Sequence, residues 1–317
     1  MTRLAILADL HGNLPALEAV LNDMASFGVE HVVVAGDVIN WGPFSAQVTE
    51  RVLQEGWAVI RGNNEFYLLD HNTPRAPTEW SDPAQYPMLP WLSRQISVQQ
   101  RTRIAAWPDT LSLRFPDAPP LRVAHGTPRS PWEPMYPIAR DEDLLPKLEG
   151  VEESTVIVGH THLPMERRVG RWHVLNPGSV GLPLDGDPTA RYMLLESEGD
   201  NWRPTIRRVP FDYEPLFREF ERQRFVEECH LIGHLAHKEF KTSRLQLLPF
   251  LLWRQAQCPA EPLSFDLLAR YTEADRWAYT PLAYHVNQNG TPASHPLSPM
   301  QDEGEGLRGE GTIYGFH

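Results

Sequence analysis

In the first 65 residues, short apolar runs alternate with stretches whose apolar side chains recur at helical spacing. No other feature limits the fold as much. Leu4-Ala5-Ile6-Leu7-Ala8 reads as a strand, and Leu14, Leu17, Leu21 and Met24 share one face of a helix ending near Gly28. Val32-Val33-Val34-Ala35 is a continuous apolar run, as in a strand covered on both faces. Phe44, Val48 and Val52 predict a second helix, and Trp57 to Ile60 a third strand. This order implies a parallel sheet with helices packed on it.

Polar motifs stand at the ends of these strands. Asp9 and His11 follow the first, Asp37 follows Gly36 after the second, and Asn63 follows Gly62 after the third. Further on, His125 follows the apolar run 121–124, and His160 and His162 follow 155–158. In a parallel sheet the carboxyl ends of strands share one edge, where ligands bind. Asp9/His11 and His160/His162 are i, i+2 pairs, which in extended backbone point to one side. The preceding glycines let the backbone turn sharply. Seven ligands (Asp9, His11, Asp37, Asn63, His125, His160 and His162) suffice for two divalent metals sharing one carboxylate. Asp37 lies centrally among the strand ends and is the bridge candidate. Carboxylate, imidazole and carboxamide donors suit Mn, Fe, Zn or Ni rather than a thiolate-binding ion, with Mn favoured. Taken singly, each motif is weak: Asp-x-His arises by chance, and Gly-Asp is often a turn. Their order carries the reading.

The remaining chain narrows the class. At 317 residues it can bury one large core or two smaller ones. A formal charge of −12 argues against duplex nucleic acid or anionic membrane as a partner. Cys229 and Cys258 suggest neither a metal pair nor a disulfide scaffold, and a cytoplasmic location is expected. Met1-Thr2-Arg3 runs straight into the first strand, which predicts no signal peptide, and no apolar run is long enough to span a bilayer. Proline-rich residues 72–90 read as an irregular surface excursion, and one helix is predicted through Leu92, Ile96, Ile104 and Trp107. Further strands are expected at 111–115, 121–124, 155–158, 172–175 and 192–196, with a short helix at 141–148. Near Phe211 the pattern changes. Phe225, Cys229, Ile232, Ala236 and Phe240 form an apolar helical stripe, a second helix is expected within 245–255, and the tail from Pro281 reads as weakly structured. The boundary falls between Val209 and Asp212, dividing residues 1–210 from 211–317.

The series Asp9-x-His11, Gly36-Asp37, Gly62-Asn63-x-Glu65, His125-Gly126 and Gly159-His160-Thr161-His162 resembles the calcineurin-like metallophosphoesterase superfamily. Asn40-Trp41-Gly42-Pro43, His125-Gly126-Thr127-Pro128-Arg129 and Asn176-Pro177-Gly178-Ser179 are similar to its small bacterial phosphodiesterase branch. The resemblance covers about residues 1–210 and implies a four-layer α/β/β/α sandwich, here with a mostly helical C-terminal extension. It implies that Asp9, His11, Asp37 and His162 hold one ion, and that Asp37, Asn63, His125 and His160 hold the other. It further implies in-line attack on phosphorus by a hydroxide bridging the two ions. Where the superfamily often has a histidine assigned to leaving-group protonation, this chain has Asn64, which donates a hydrogen bond but no proton at neutral pH. Phosphodiesters, or esters with good leaving groups, are therefore expected over alkyl monoesters.

Asp37 and Asn64 are the catalytic candidates. Asn40, Arg129 and Trp132 are candidates for contacting a small phosphate ester, a nucleotide among the options, although Arg129 and Trp132 also fit as surface and packing residues. Arg61 reads as a structural ion-pair partner. His230, His234 and His237 lie on one helical face, read as a polar stripe bordering the apolar one. Gly304 to Gly311 lack a phosphate-loop pattern. The C-terminal part reads equally as a lid, a dimer surface or packing; a lid would bring Trp253, Trp277 or Tyr284 near the metals. The rival functions are a phosphomonoesterase or dinucleoside polyphosphate hydrolase on the same site, and a non-catalytic interaction scaffold.

Overall fold

The computed structural model describes residues 1–285. It begins with β1 (Arg3–Leu7), α1 (Leu14–Met24), β2 (His31–Val34), α2 (Ser45–Glu55) and β3 (Ala58–Val59). β1 pairs parallel with β2, and β2 with β3. Leu4 and Ile6 enter one buried cluster while Ala5 and Leu7 enter another. Successive strand residues face opposite sides, so a strand covered on both faces is apolar throughout.

Next come α3 (Asn63–Asp70), a 3-10 turn at Thr78–Ser81, α4 (Met88–Gln95) and α5 (Val98–Ala105). The single helix expected through 92–107 is thus two. Ile96 turns extended, and Ser97 caps α5: its Oγ accepts from Gln100 N while Gln100 Oε1 accepts from Ser97 N. Residues 72–90 are not merely a surface excursion, because Trp80 and Tyr86 are buried there and pack on Tyr67.

β4 (Thr110–Phe115), β5 (Ala118–Ala124), α6 (Asp141–Leu148), β6 (Thr155–Ile157), β7 (Met165–Val169), β8 (Trp172–Asn176), β9 (Ala190–Glu198) and β10 (Asn201–Val209) follow. Two five-stranded sheets form, ordered β10-β9-β1-β2-β3 and β4-β5-β6-β8-β7. Leu4, Ile6 and Val33 of the first meet Leu121, Val123, Ile157 and Leu175 of the second between them. Leu17, Val20, Val48 and Val52 of α1 and α2 cover the outer face of the first sheet. Leu144 and Leu148 of α6 cover that of the second. The sandwich is α/β/β/α.

The helical region comprises α7 (Glu214–Arg222), α8 (Phe225–Thr242), α9 (Leu247–Gln257), α10 (Phe265–Arg270), α11 (Glu273–Tyr279) and a 3-10 turn at Leu282–Tyr284. The stripe expected on α8 is buried, although the helix breaks at His230, whose φ is 48°. His237 packs edge-on to Phe217 and Phe220, and His234 to Phe265. The stripe residues join one continuous buried cluster with those of α1, α2 and α4. Residues 281–285 correct the weakly structured tail: Tyr284 is buried. Gly304 to Gly311 lie outside the described residues. Both cysteines are buried free thiols. Among the described residues no helix is long and apolar enough to cross a membrane.

Candidate metal centre

The carboxyl ends of β1, β2, β5 and β6 and the start of α3 deliver the seven predicted residues to one place, each no more than 5% exposed. Asp9, His11 and His162 form one group and Asp37, His125 and His160 a second, the ligand atoms in each lying within 4.8 Å of one another. Asn63 Oδ1 joins the second group, 3.0 Å from both His125 Nε2 and His160 Nδ1. Asp37 Oδ2 lies 3.3 Å from His125 Nε2 and 3.7 Å from His11 Nε2, between the two groups.

The local backbone differs from the extended geometry expected. Asp9, His11, Asp37, His160 and His162 all have positive φ, between 45° and 66°. Left-handed backbone costs a non-glycine residue about 1–2 kcal/mol and persists only where its surroundings enforce it. Here they do: Asp9 N donates to Gly36 O, His11 N to Asp37 O, and Asp9 O accepts from both Gly181 N and Ser179 Oγ. Gly36 itself has φ +89°, as a sharp turn requires. Gly62 does not turn; it is glycine because a Cβ there would lie 2.2 Å from Asp37 Oδ1.

The donor set fits divalent cations. His125 Nδ1 donates to Ala35 O at 2.8 Å, His162 Nδ1 to Leu182 O at 2.5 Å, and His160 Nε2 to Trp132 O at 3.1 Å. Each carbonyl fixes a proton on one ring nitrogen and leaves the other for a metal. His11 Nε2 and His162 Nε2 face one another at 3.0 Å, and Asp9 Oδ2 and His11 Nδ1 are buried without a hydrogen-bond partner. Such groups are costly unless a cation sits among them. Burial pulls His11 down to about 4 and His162 well below the usual histidine range, so both rings are neutral, as a metal ligand must be. Burial also opposes charge on His125, but the Asp37 and Asp9 carboxylates outweigh it and raise the group to about 9. Without a cation the site thus holds a proton there, which metal binding would displace. Burial likewise opposes ionisation of Asp37, yet His125, His11 and the Asn64 N–H keep it well below the usual carboxylate range.

Asn64 donates to both oxygens of Asp37, from its backbone N at 2.9 Å and Nδ2 at 2.6 Å. Asn40 Nδ2 donates to Asn64 Oδ1 at 2.6 Å, while Asn40 Oδ1 is buried without a hydrogen-bond partner. Arg129 is not brought to the centre; its guanidinium lies 3.2 Å from the Glu149 carboxylate at the surface. The Trp132 ring packs edge-on to Tyr67, and it is the backbone carbonyl of Trp132 that reaches His160. Arg61 pairs with Asp109 at 2.6 Å. Glu65 has a part that the sequence reading left unassigned. It accepts from Gly62 N, Asp37 N, Val38 N and Ile39 N, binding the loop after β2 to the start of α3. Its place three residues after Gly62, the third position of a capping box, was the available signal.

A cavity of about 30 Å³ adjoins the centre, enclosed by His11, Asp37, Asn64 and His162 below and Leu247, Leu248 and Glu239 above, with Trp41, Tyr67, Leu182 and Leu184 at its sides. Of the three aromatic residues expected in a lid, Tyr284 comes near: its hydroxyl donates to Thr161 O at 3.0 Å, between the candidate ligands His160 and His162. Trp253 packs instead on Phe250 and Tyr271, and Trp277 against Arg276 and His285. Glu239 was not foreseen, although an acidic residue between Ala236 and Phe240 in an apolar stripe was visible.

A family model described as the calcineurin-like phosphoesterase superfamily domain matches residues 2–200. The phosphodiesterase YfcE of Escherichia coli is 27% identical over 208 residues, 62% of this chain and 89% of that protein. An uncharacterized protein of Methanocaldococcus jannaschii is 23% identical over 71% of this chain and 94% of its own length. The crystal structure of a metallophosphoesterase from Sphaerobacter thermophilus superposes with a TM-score of 0.61 at 23% identity, covering 76% of this chain and 99% of that one. That coverage exceeds what residues 2–200 account for.

Proposed function

Because the chain belongs to the calcineurin-like phosphoesterase superfamily, and hence to the hydrolases of phosphoric ester bonds, we propose that it is a metal-dependent phosphodiesterase. The observation that carries this reading is the convergence of seven buried candidate ligands, three of whose imidazoles are held by backbone carbonyls at one ring nitrogen with the other left free. The name of the YfcE relative supports the diester assignment. Asp9, His11, Asp37 and His162 would hold one divalent ion, and Asp37, Asn63, His125 and His160 the other, with Mn favoured for this oxygen and nitrogen set. Bound, such a pair activates water at neutral pH and neutralises charge on phosphoryl oxygens. Asn64 positions Asp37 and presents an amide, not an acid, to the leaving group. Asn40 acts through Asn64. Residues 1–210 would form the catalytic sandwich domain, and the described residues from 211 to 285 its helical extension. The buried free thiols agree with a cytoplasmic enzyme.

The test compares bis-p-nitrophenyl phosphate with p-nitrophenyl phosphate, on protein stripped of metal and reloaded with Mn²⁺. Diester turnover that needs Mn²⁺ and disappears in Asp37→Ala is expected. Asn64→His should raise monoester turnover; an unchanged diester-to-monoester ratio removes the role given to Asn64. Protein that binds no metal and turns over neither ester would instead be a scaffold.

A further inference from the structure

The cavity contains one ionisable side chain that this chemistry leaves unused. Glu239 of α8 is 7% exposed and lines the cavity with His11, Asp37, Asn64 and His162. Its Oε1 accepts from Gln246 N at 2.8 Å and Leu247 N at 3.0 Å, which fixes the carboxyl where α8 passes into α9. Its Oε2 accepts no hydrogen bond among the described residues. Among the described residues no lysine or arginine lines the cavity; the remaining wall is Asn63, His160, Trp41, Tyr67 and four leucines. Burial pushes the carboxyl up to about 7.

A carboxyl group enclosed in this way constrains whatever binds beside it. It loses water when the cavity fills, and an apolar arm gives it nothing in return. A second phosphate would set like charges together with no arginine or lysine between them. An arm that ends in a hydrogen-bond donor satisfies it through a charge-assisted bond. The small, leucine-walled enclosure also disfavours a long arm. We propose that Glu239 is a specificity-determining residue, and that the substrate is a singly charged phosphodiester whose short arm ends in a hydroxyl or ammonium donor. This rests on the phosphodiesterase reading, and it disfavours dinucleoside polyphosphates.

The test uses the Mn²⁺-loaded full chain and three p-nitrophenyl phosphodiesters with the same leaving group. Their second arms are propyl, 3-hydroxypropyl and 3-ammoniopropyl. The donor arms should give kcat/KM at least about 10-fold above propyl, mainly through KM, since a hydrogen bond to a charged group is worth that much. Glu239→Gln keeps an oxygen for the two backbone N–H groups but turns an NH₂ toward the cavity. It should remove the preference, bringing kcat/KM for the two donor arms down to that for propyl. Equal rates on all three arms, or an equal loss on all three in Glu239→Gln, overturn the proposal. Calorimetric binding of 3-aminopropyl phosphate and propyl phosphate separates the two readings. Tighter binding of the amine, abolished by Glu239→Gln, upholds the role of Glu239 even if no diester is turned over, an outcome that removes only the phosphodiesterase. Equal binding of the two phosphates overturns the role of Glu239 whatever the turnover.

Discussion

The floor of the cavity is polar: His11, Asp37, Asn63, His160 and His162, five of the seven candidate ligands, line it together with Asn64 from strand ends and a helix start. Its roof consists of Leu247, Leu248 and Glu239, placed by helices that pack on the sandwich. The floor depends on chemistry that few residue types supply, so exchanging one of them should remove function with little effect on folding. The roof depends on apolar packing that many residues supply, so exchanging one should alter stability and substrate range but not metal binding.

Asp37→Ala should produce the largest effect. Removing the carboxylate between both groups should lower turnover by about 10³-fold or more and reduce bound Mn²⁺, as read by kinetics and metal analysis. An Asp37→Ala protein that still holds two ions would erase the contrast between floor and roof. Leu248→Ala comes next. It should cost about 2–3 kcal/mol in chemical denaturation and raise turnover of bulky diesters relative to small ones, with Mn²⁺ content unchanged. Metal loss on this change would mean that the roof also shapes the floor.

A pH series sharpens the comparison through Glu239. Its carboxyl is raised to about 7 in the folded chain, against roughly 4.3 when unfolded. Between these values the folded state holds a proton that the unfolded state has released. The stabilisation is therefore complete at low pH and is lost as pH rises through about 7. Relative to Glu239→Gln, the metal-stripped wild type should lose about 1–3 kcal/mol between pH 5 and pH 8; a flat difference would place the carboxyl in water. Arg129→Ala should have the smallest effect, within about twofold in turnover, because its exposed pair with Glu149 is worth little.

The same contrast explains what was legible in the sequence. The floor was readable because Asp, Asn and His after apolar runs are unusual, and β1 to β3 were readable because strands covered on both faces are uniformly apolar. β7 and β10 escaped notice as edge strands: Glu166, Arg167 and Arg168 interrupt one, and Pro204 sits in the other, which an edge tolerates. α3 begins with three polar residues that serve the site, so its helical period is masked. The left-handed backbone of five candidate ligands had no local signal; at Asp9, for example, the contacts that hold it come from Gly36, Ser179 and Gly181, elsewhere in the chain. Leu247 and Leu248 look like any core leucines, and only the fold places them over a metal centre.

The hydrogen bond from Tyr284 to Thr161 spans 123 residues, which sets an order of events during synthesis. All seven candidate ligands have been made once His162 is added. The roof residues come about 80 residues later and their Tyr284 fastening about 120, roughly 4–24 s at ordinary translation rates. In that interval the floor faces solvent, so cations can reach it before the leucines arrive. Refolding in the presence of Mn²⁺ should therefore fill the site faster than adding Mn²⁺ to a chain that has already folded without it.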